Sequence, residues 1–236
     1  MVMKFSWFSQ LLCDGFEKMP EWSFKNDIRY FLSFSKLVPN YVSDMSPVKG
    51  YEMYYHVKEG DVVVDAGAYP GDYAVFAARK AGKTGKIICF EPNEKNRKVL
   101  QKNLENEGLN NFIIVPKGLW NKKEKLNIKQ FDGLHTELSK DAGEAEIQVT
   151  DLDSELKKLG IKKIDVLKMD IEGAEIQAVQ GALQTLKKNK VNVIIASYHV
   201  VNGETTSFFL EKFFAKIGYN TKTYFPKHLT TYAWKE

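Results

Sequence analysis

From Gly60 onward the chain alternates short unbroken apolar runs with longer segments whose apolar residues recur at helical spacing, and this alternation restricts the fold more than any other feature. Val62-Val63-Val64 is β-branched and continuous, as a strand covered on both faces should be. A helix is expected over 72–81, stopped near Gly82, and 86–90 reads as a second strand. Asn93 stands where an N-cap would, opening a helix through Leu100 and Leu104 to a stop at Gly108. A third strand is expected over 112–115. Residues 120–149 are irregular and polar, with two alternating pieces, 125–129 and 145–149, that can pair as a hairpin. Thr150-x-x-Asp153 has the form of a capping box; Leu152, Leu156 and Leu159 then share a helical face that ends at Gly160. The spacing predicts a fourth strand over 164–169, one helix through Ile176, Val179, Leu183 and Leu186, and a fifth strand over 191–196. A helix near 204–217 precedes extended pieces at 219–224 and 229–234, separated by Pro226. Repeated strand–helix units imply an α/β fold with a mostly parallel sheet, right-handed crossovers and helices on both faces. The short link between the last two pieces makes them an antiparallel pair.

Residues 1–58 stand apart, with Trp7, Trp22, many other aromatics and Pro20, Pro39 and Pro47. They are expected to form an aromatic-rich helical extension, either packed on the 59–236 domain or closing over it as a lid. At 236 residues the chain has no need of a disulfide or metal staple. Only Arg29, Arg79 and Arg97 are arginines among 34 basic residues, and the net charge is +4. A protein dedicated to phosphate or base recognition uses guanidinium more heavily, so the composition speaks against nucleic acid as a partner. Cys13 and Cys89 make no disulfide framework, and Cys89 sits in the apolar run 87–90. No signal peptide and no run of 18 apolar residues is found, so no membrane span and a cytoplasmic location are expected.

In such a sheet, ligands bind beyond the carboxyl ends of the strands. The first strand ends in Asp65-Ala66-Gly67-Ala68-Tyr69-Pro70-Gly71, a glycine-bearing turn that lets backbone approach a ligand ahead of a helix N-terminus. It is neither a P-loop nor the dinucleotide fingerprint, which would need glycine at Tyr69. The second strand ends in Glu91-Pro92, 26 residues after Asp65, where an acid can accept both hydroxyls of a ribose. Together these features point to an adenosine-type cofactor other than NAD. Gly118, Leu119 and Trp120 follow the third strand, either beside an adenine ring or simply packed on the sheet edge. The fourth strand ends in Asp170-Ile171-Glu172-Gly173-Ala174-Glu175. Glu175 suits the dipole of the following helix, and Asp170 points most naturally into the cleft. After the fifth strand comes His199, a candidate general base facing these carboxylates; His56, His135 and His228 have no such setting.

The set 62–71, Phe90-Glu91-Pro92 and Leu167-Lys168-Met169-Asp170-Ile171-Glu172-Gly173-Ala174-Glu175 resembles the FkbM-type S-adenosylmethionine-dependent methyltransferases over about residues 58–200. The resemblance implies a Rossmann-like class I methyltransferase fold, a seven-stranded mostly parallel sheet with one antiparallel strand, and methyl transfer to a hydroxyl of a sugar, polyketide or similar small molecule. It places Asp65, Gly67 and Gly71 around the methionine portion of S-adenosyl-L-methionine and Glu91 at the ribose, and Ala68, Pro92, Gly118 and Leu119 are further candidates for cofactor binding. It places Asp170 in the cleft near the methionine amino group or the acceptor, a candidate for cofactor binding as well as catalysis; by position, His199 is the expected base, with Asp170 or Glu172 orienting it or the acceptor. No metal site is assigned, although Asp170 and His199 are a pair that a magnesium-assisted version can use. Two departures stand out: bulky Tyr69 and Pro70 in the glycine turn, and Ser197 where family members often carry glutamate two residues before the histidine. The rival functions are methylation of RNA or another macromolecule, and a non-catalytic module that binds S-adenosylmethionine. Against the first, the chain has Asp170-Ile171-Glu172-Gly173 where amino-methylating nucleobase enzymes carry Asn/Asp-Pro-Pro-aromatic. The acids at 65, 91, 170 and 172 make a mouth suited to a cationic sulfonium.

Overall fold

The structure, a computed structural model, describes residues 51–130, 136–139, 145–224 and 229–236. In chain order its elements are β1 (Val62–Ala66), α1 (Asp72–Ala81), β2 (Lys86–Phe90), α2 (Glu94–Asn106), β3 (Phe112–Val115), β4 (Gly118–Leu119), β5 (Glu124–Gln130), β6 (Thr136–Ser139) and β7 (Ala145–Thr150). There follow α3 (Leu152–Lys158), β8 (Val166–Met169), α4 (Glu175–Gln180), α5 (Leu183–Lys188), β9 (Asn192–Ala196), β10 (Val200–Val201), β11 (Glu204–Thr205), α6 (Thr206–Lys216), β12 (Asn220–Tyr224) and β13 (Thr230–Trp234).

The β-branched runs become the middle of a seven-stranded sheet of order β12-β13-β9-β8-β1-β2-β3. Every neighbour from β9 to β3 is parallel, and β13 runs antiparallel to both β9 and β12, so one strand is reversed. Apart from its first residue, each of β1, β2 and β9 is buried throughout, and β8 is buried entirely, because helices cover both faces. Val64, Ile88, Leu167, Val179, Ile195, Leu210 and Phe214 belong to one core cluster. Each such side chain contributes about 1.5–3 kcal/mol relative to exposure. Register sets the mouth: Asp65 lies beside Cys89 and Lys168, and Ala66 beside Phe90 and Met169, so β1, β2 and β8 end level with one another.

Three local expectations change. The 125–129 and 145–149 pieces do pair antiparallel, but β6 also pairs with β5 and β4 joins β7 in parallel, giving a four-stranded sheet. The cap of α3 is Asp151, whose carboxylate accepts the Ser154 amide at 2.8 Å; Asp153 instead accepts the Gln184 and Thr185 amides that open α5. The single helix expected through Ile176 and Leu186 divides into α4 and α5 at Gly181. A Cβ there would stand 2.1 Å from the Trp120 carbonyl oxygen, so the break lies where another loop presses on the backbone.

Candidate active site

The turn after β1 is made by glycine for steric reasons. Gly67 has φ +73°, and a Cβ on it would lie 1.9 Å from the Asp170 carbonyl oxygen, so the ends of β1 and β8 touch through it. The Gly67 and Ala68 amides donate to the Phe90 carbonyl at 3.1 and 3.3 Å, fastening the turn to β2. Gly71, with φ +112°, precedes α1, whose N-terminus carries no side-chain cap. Asp65 is buried, with Lys168 Nζ 2.9 Å from its Oδ1, while its Oδ2 has no hydrogen-bond partner among the described residues. Burial raises the Asp65 carboxyl to about 6 although the Lys168 ammonium opposes the rise. Lys168 is itself buried, which works against its charge, but Asp65, Asp170 and Asp72 outweigh burial and raise its proton affinity. Its ammonium also donates to the Gly67 carbonyl at 3.2 Å and lies 5.6 Å from the Tyr51 ring centre.

Glu91 ends β2 almost fully buried. Its Oε1 accepts the Asn93 amide at 2.9 Å, and Asn93 in turn caps α2. Burial raises the Glu91 carboxyl, partly offset by bonds from Asn93, Asn96 and Tyr69. Pro92 follows half-buried, its carbonyl accepting from Arg97. Gly118 and Leu119 form β4; the Leu119 side chain is 1% exposed and belongs to the main core. Trp120 packs on Leu126, Ile147 and Val149 of the smaller sheet.

The ends of β8 and β9 build the other half. Glu172 has φ +55°, and Glu175 Oε1 accepts the Ile171 and Gly173 amides at 3.2 and 3.3 Å, so the acid at the head of α4 also secures the loop before it. His199 is 9% exposed, with Nδ1 2.9 Å from Glu175 Oε1 and Nε2 3.3 Å from Glu172 Oε2 and 3.8 Å from Asp170 Oδ1. Tyr198 and Tyr51 donate to the two oxygens of Asp170 at 3.2 and 3.4 Å. Burial alone would lower the proton affinity of His199, but contacts with Glu172 and Glu175 and the charges of Glu175 and Asp170 raise it to about 10. The imidazole is therefore charged near neutral pH in this arrangement. Ser197 is fully buried and accepts from Thr231 Oγ1 at 2.9 Å, so at this departure from the family pattern the side chain joins β9 to β13.

The structure thus gathers Asp170, Glu172 and His199 in one cluster and sets Asp65, Gly67 and Ala68 beside it, with Glu91 at the neighbouring strand end. Lys168, Tyr51 and Tyr198 have no role in the sequence reading, yet all three touch this centre. A lysine inside an unbroken apolar strand was the one signal for Lys168. His56 lies exposed beside Glu52, and His135 and His228 fall outside the described residues.

The model of the methyltransferase FkbM domain matches residues 65–221, well over half of the chain. The chain belongs to the FkbM methyltransferase family. A solved FkbM methyltransferase from Methylobacillus flagellatus is similar at a TM-score of 0.61 and 18% identity, over 80% of this chain and 48% of that one. The chain therefore spans about half the length of that relative. Fibrillarin from Aeropyrum pernix, solved with bound S-adenosyl-L-methionine, is similar at 0.52 and 13% identity, covering 80% and 74% of the two chains. Precorrin-6y C5,15-methyltransferase from Geobacter metallireducens is similar at 0.50 and 13%, covering 75% and 82%. At these identities the solved structures establish the Rossmann-like fold expected of the family. No curated protein matches the chain. Among the described residues no helix is long and apolar enough to cross a membrane.

Proposed function

We propose that this FkbM-family domain transfers the methyl group of S-adenosylmethionine to a hydroxyl oxygen of a small molecule or sugar. S-adenosylmethionine is the cofactor, and when bound it supplies a methyl group already activated on a sulfonium. The residues fit it: Asp65 offers a buried oxygen without a partner, and Glu91 a second buried carboxylate on the adjacent strand. Asp65, Gly67, Ala68 and Gly71 hold the methionine portion, Glu91 and Pro92 the ribose, and Gly118 and Leu119 the adenine, Leu119 through its backbone because its side chain is in the core.

The protein's own task is to align the acceptor, exclude water and take its proton. The single observation that carries the acceptor assignment is the convergence of Asp170, Glu172 and His199 beside the Gly67 turn. With His199 charged, the proton acceptor is a carboxylate of Asp170 or Glu172, and His199 holds the two in place. Tyr51 donates to Asp170 and so belongs to the site, while residues 1–50 of the expected extension lie outside the described residues. The buried free thiol of Cys89 supports a reducing, cytoplasmic setting.

Methyl-tritiated S-adenosylmethionine offered with a panel of sugars, polyols and phenols, and separately with RNA, tests the proposal. Label is expected in alkali-stable ethers of a hydroxylated acceptor, with turnover about 10²–10⁴-fold lower when the carboxylate that takes the proton is removed, in Asp170→Asn or Glu172→Gln. Label found only in RNA or in alkali-labile esters contradicts it.

A further inference from the structure

We propose that Asp170, Glu172 and His199 form a binding site for one divalent metal ion at the mouth of the sheet. The site stands on the side chains alone; its use in the reaction rests on the hydroxyl-methylation reading above. One ligand atom from each residue can be chosen so that all three lie within 4.8 Å of one another. His199 Nε2 is 3.3 Å from Glu172 Oε2 and 3.8 Å from Asp170 Oδ1. Ligands about 2.1 Å from an octahedral ion stand about 3 Å apart when adjacent and about 4.2 Å when opposite, so both distances fall within the span of one ion's shell.

An independent observation comes from the imidazole. His199 is nine-tenths buried, with Nδ1 turned to Glu175, yet Nε2 makes no directed hydrogen bond among the described residues. The nearby carboxylates stand at ion-pair distance, and Nε2 faces two of them. A metal ligand must be the neutral ring, so an ion at Nε2 would replace the proton that the facing carboxylates otherwise hold there. The shell behind the cluster is also that of a metal ligand. Glu175, fully buried and fixed by two backbone amides, lies 2.9 Å from Nδ1, as carboxylates do behind metal-bound histidines. Tyr51 and Tyr198 brace Asp170 in the same way.

Charge agrees with geometry. Three carboxylates surround one imidazole, and a divalent ion balances most of that negative charge. Two oxygens and one imidazole nitrogen suit Mn²⁺, Fe²⁺ or Zn²⁺ better than Ca²⁺. Asp170 and Glu172 are 20% and 33% exposed, so the cluster opens toward solvent and leaves coordination positions for water or acceptor oxygens. There the ion would act as a Lewis acid on a hydroxyl.

The test is calorimetry and pulsed EPR of the full chain titrated with Mn²⁺ alone, without cofactor or acceptor. One Mn²⁺ per chain is expected, with an imidazole nitrogen coupling that disappears in His199→Ala. Glu172→Gln, at a part-exposed position that tolerates the change, should weaken affinity at least tenfold, about the loss caused even by removing an outer-shell partner. Glu94→Gln, which alters an exposed acid on α2, should leave it unchanged. Absence of Mn²⁺ binding to the wild-type chain, or binding that Glu172→Gln leaves within twofold, overturns the site. S-adenosylhomocysteine binding measured on the same samples keeps the two proposals separate, since either ligand can bind while the other fails.

Discussion

Asp65 and Glu91 are both buried acids at strand ends, but they are restrained differently, and the difference sets what their replacement should do. Glu91 is tied to the loop amides around it, whereas Asp65 faces one ammonium and keeps an oxygen without a partner. Glu91→Ala should weaken S-adenosylhomocysteine binding by about 10- to 100-fold while the fold persists, as measured by calorimetry. For Asp65, burial lifts the carboxyl from 3.8 to about 6, with Asp72 and Asp170 adding to the rise and Lys168 opposing it. Because the folded value lies above the unfolded one, its stabilising contribution is complete below pH 3.8 and is lost as pH rises through about 6. Melting temperatures of wild type and Asp65→Asn should therefore differ progressively less in favour of the wild type between pH 4 and 7; a constant or widening difference contradicts this. The strand-end acids were legible because only strand ends can reach the mouth of a parallel sheet. Lys168 and Tyr51 were not, since Tyr51 meets Asp170 across 119 residues and no local pattern encodes that contact. The charge state of His199 was equally hidden, because it depends on distances to Glu172 and Glu175.

Elements were most legible where propensity and burial agree. α1, β2 and β3 lie where the apolar runs and glycine stops put them, and Asn93 caps α2 with bonds to the Lys95 and Asn96 amides. They were least legible where a distant backbone bears on the chain, as at Gly181 between α4 and α5, where the Trp120 carbonyl leaves no room for a Cβ. The α3 cap shifted by one residue because Asp153, the acid of the apparent capping box, is used by α5. Gly67→Ala should destabilise by about 2–5 kcal/mol in chemical denaturation, combining a positive φ with overpacking against Asp170. Asp151→Ala should cost about 1 kcal/mol through loss of the cap, with little effect on cofactor affinity.

On the scale of the whole molecule, β1, β2 and β8 end level with one another, and the proposed cofactor and acceptor sites share that edge. The weakly basic total charge hides this edge, where Asp65, Glu91, Asp170 and Glu172 concentrate acid. Seven strands with one reversed were foreseeable from the family resemblance; of the four-stranded β4-β7-β5-β6 sheet only the β5–β7 pairing was, since β4 and β6 are short and carry no sustained alternation. We propose that this edge binds S-adenosylmethionine through Asp65 and Glu91. Calorimetric titration of the chain with S-adenosylhomocysteine tests it most directly: one site per chain, weakened by Glu91→Ala and unmatched by NAD, is the predicted result. A wild-type chain that gives no binding heat, or that binds equally well without the Glu91 carboxylate, would contradict it.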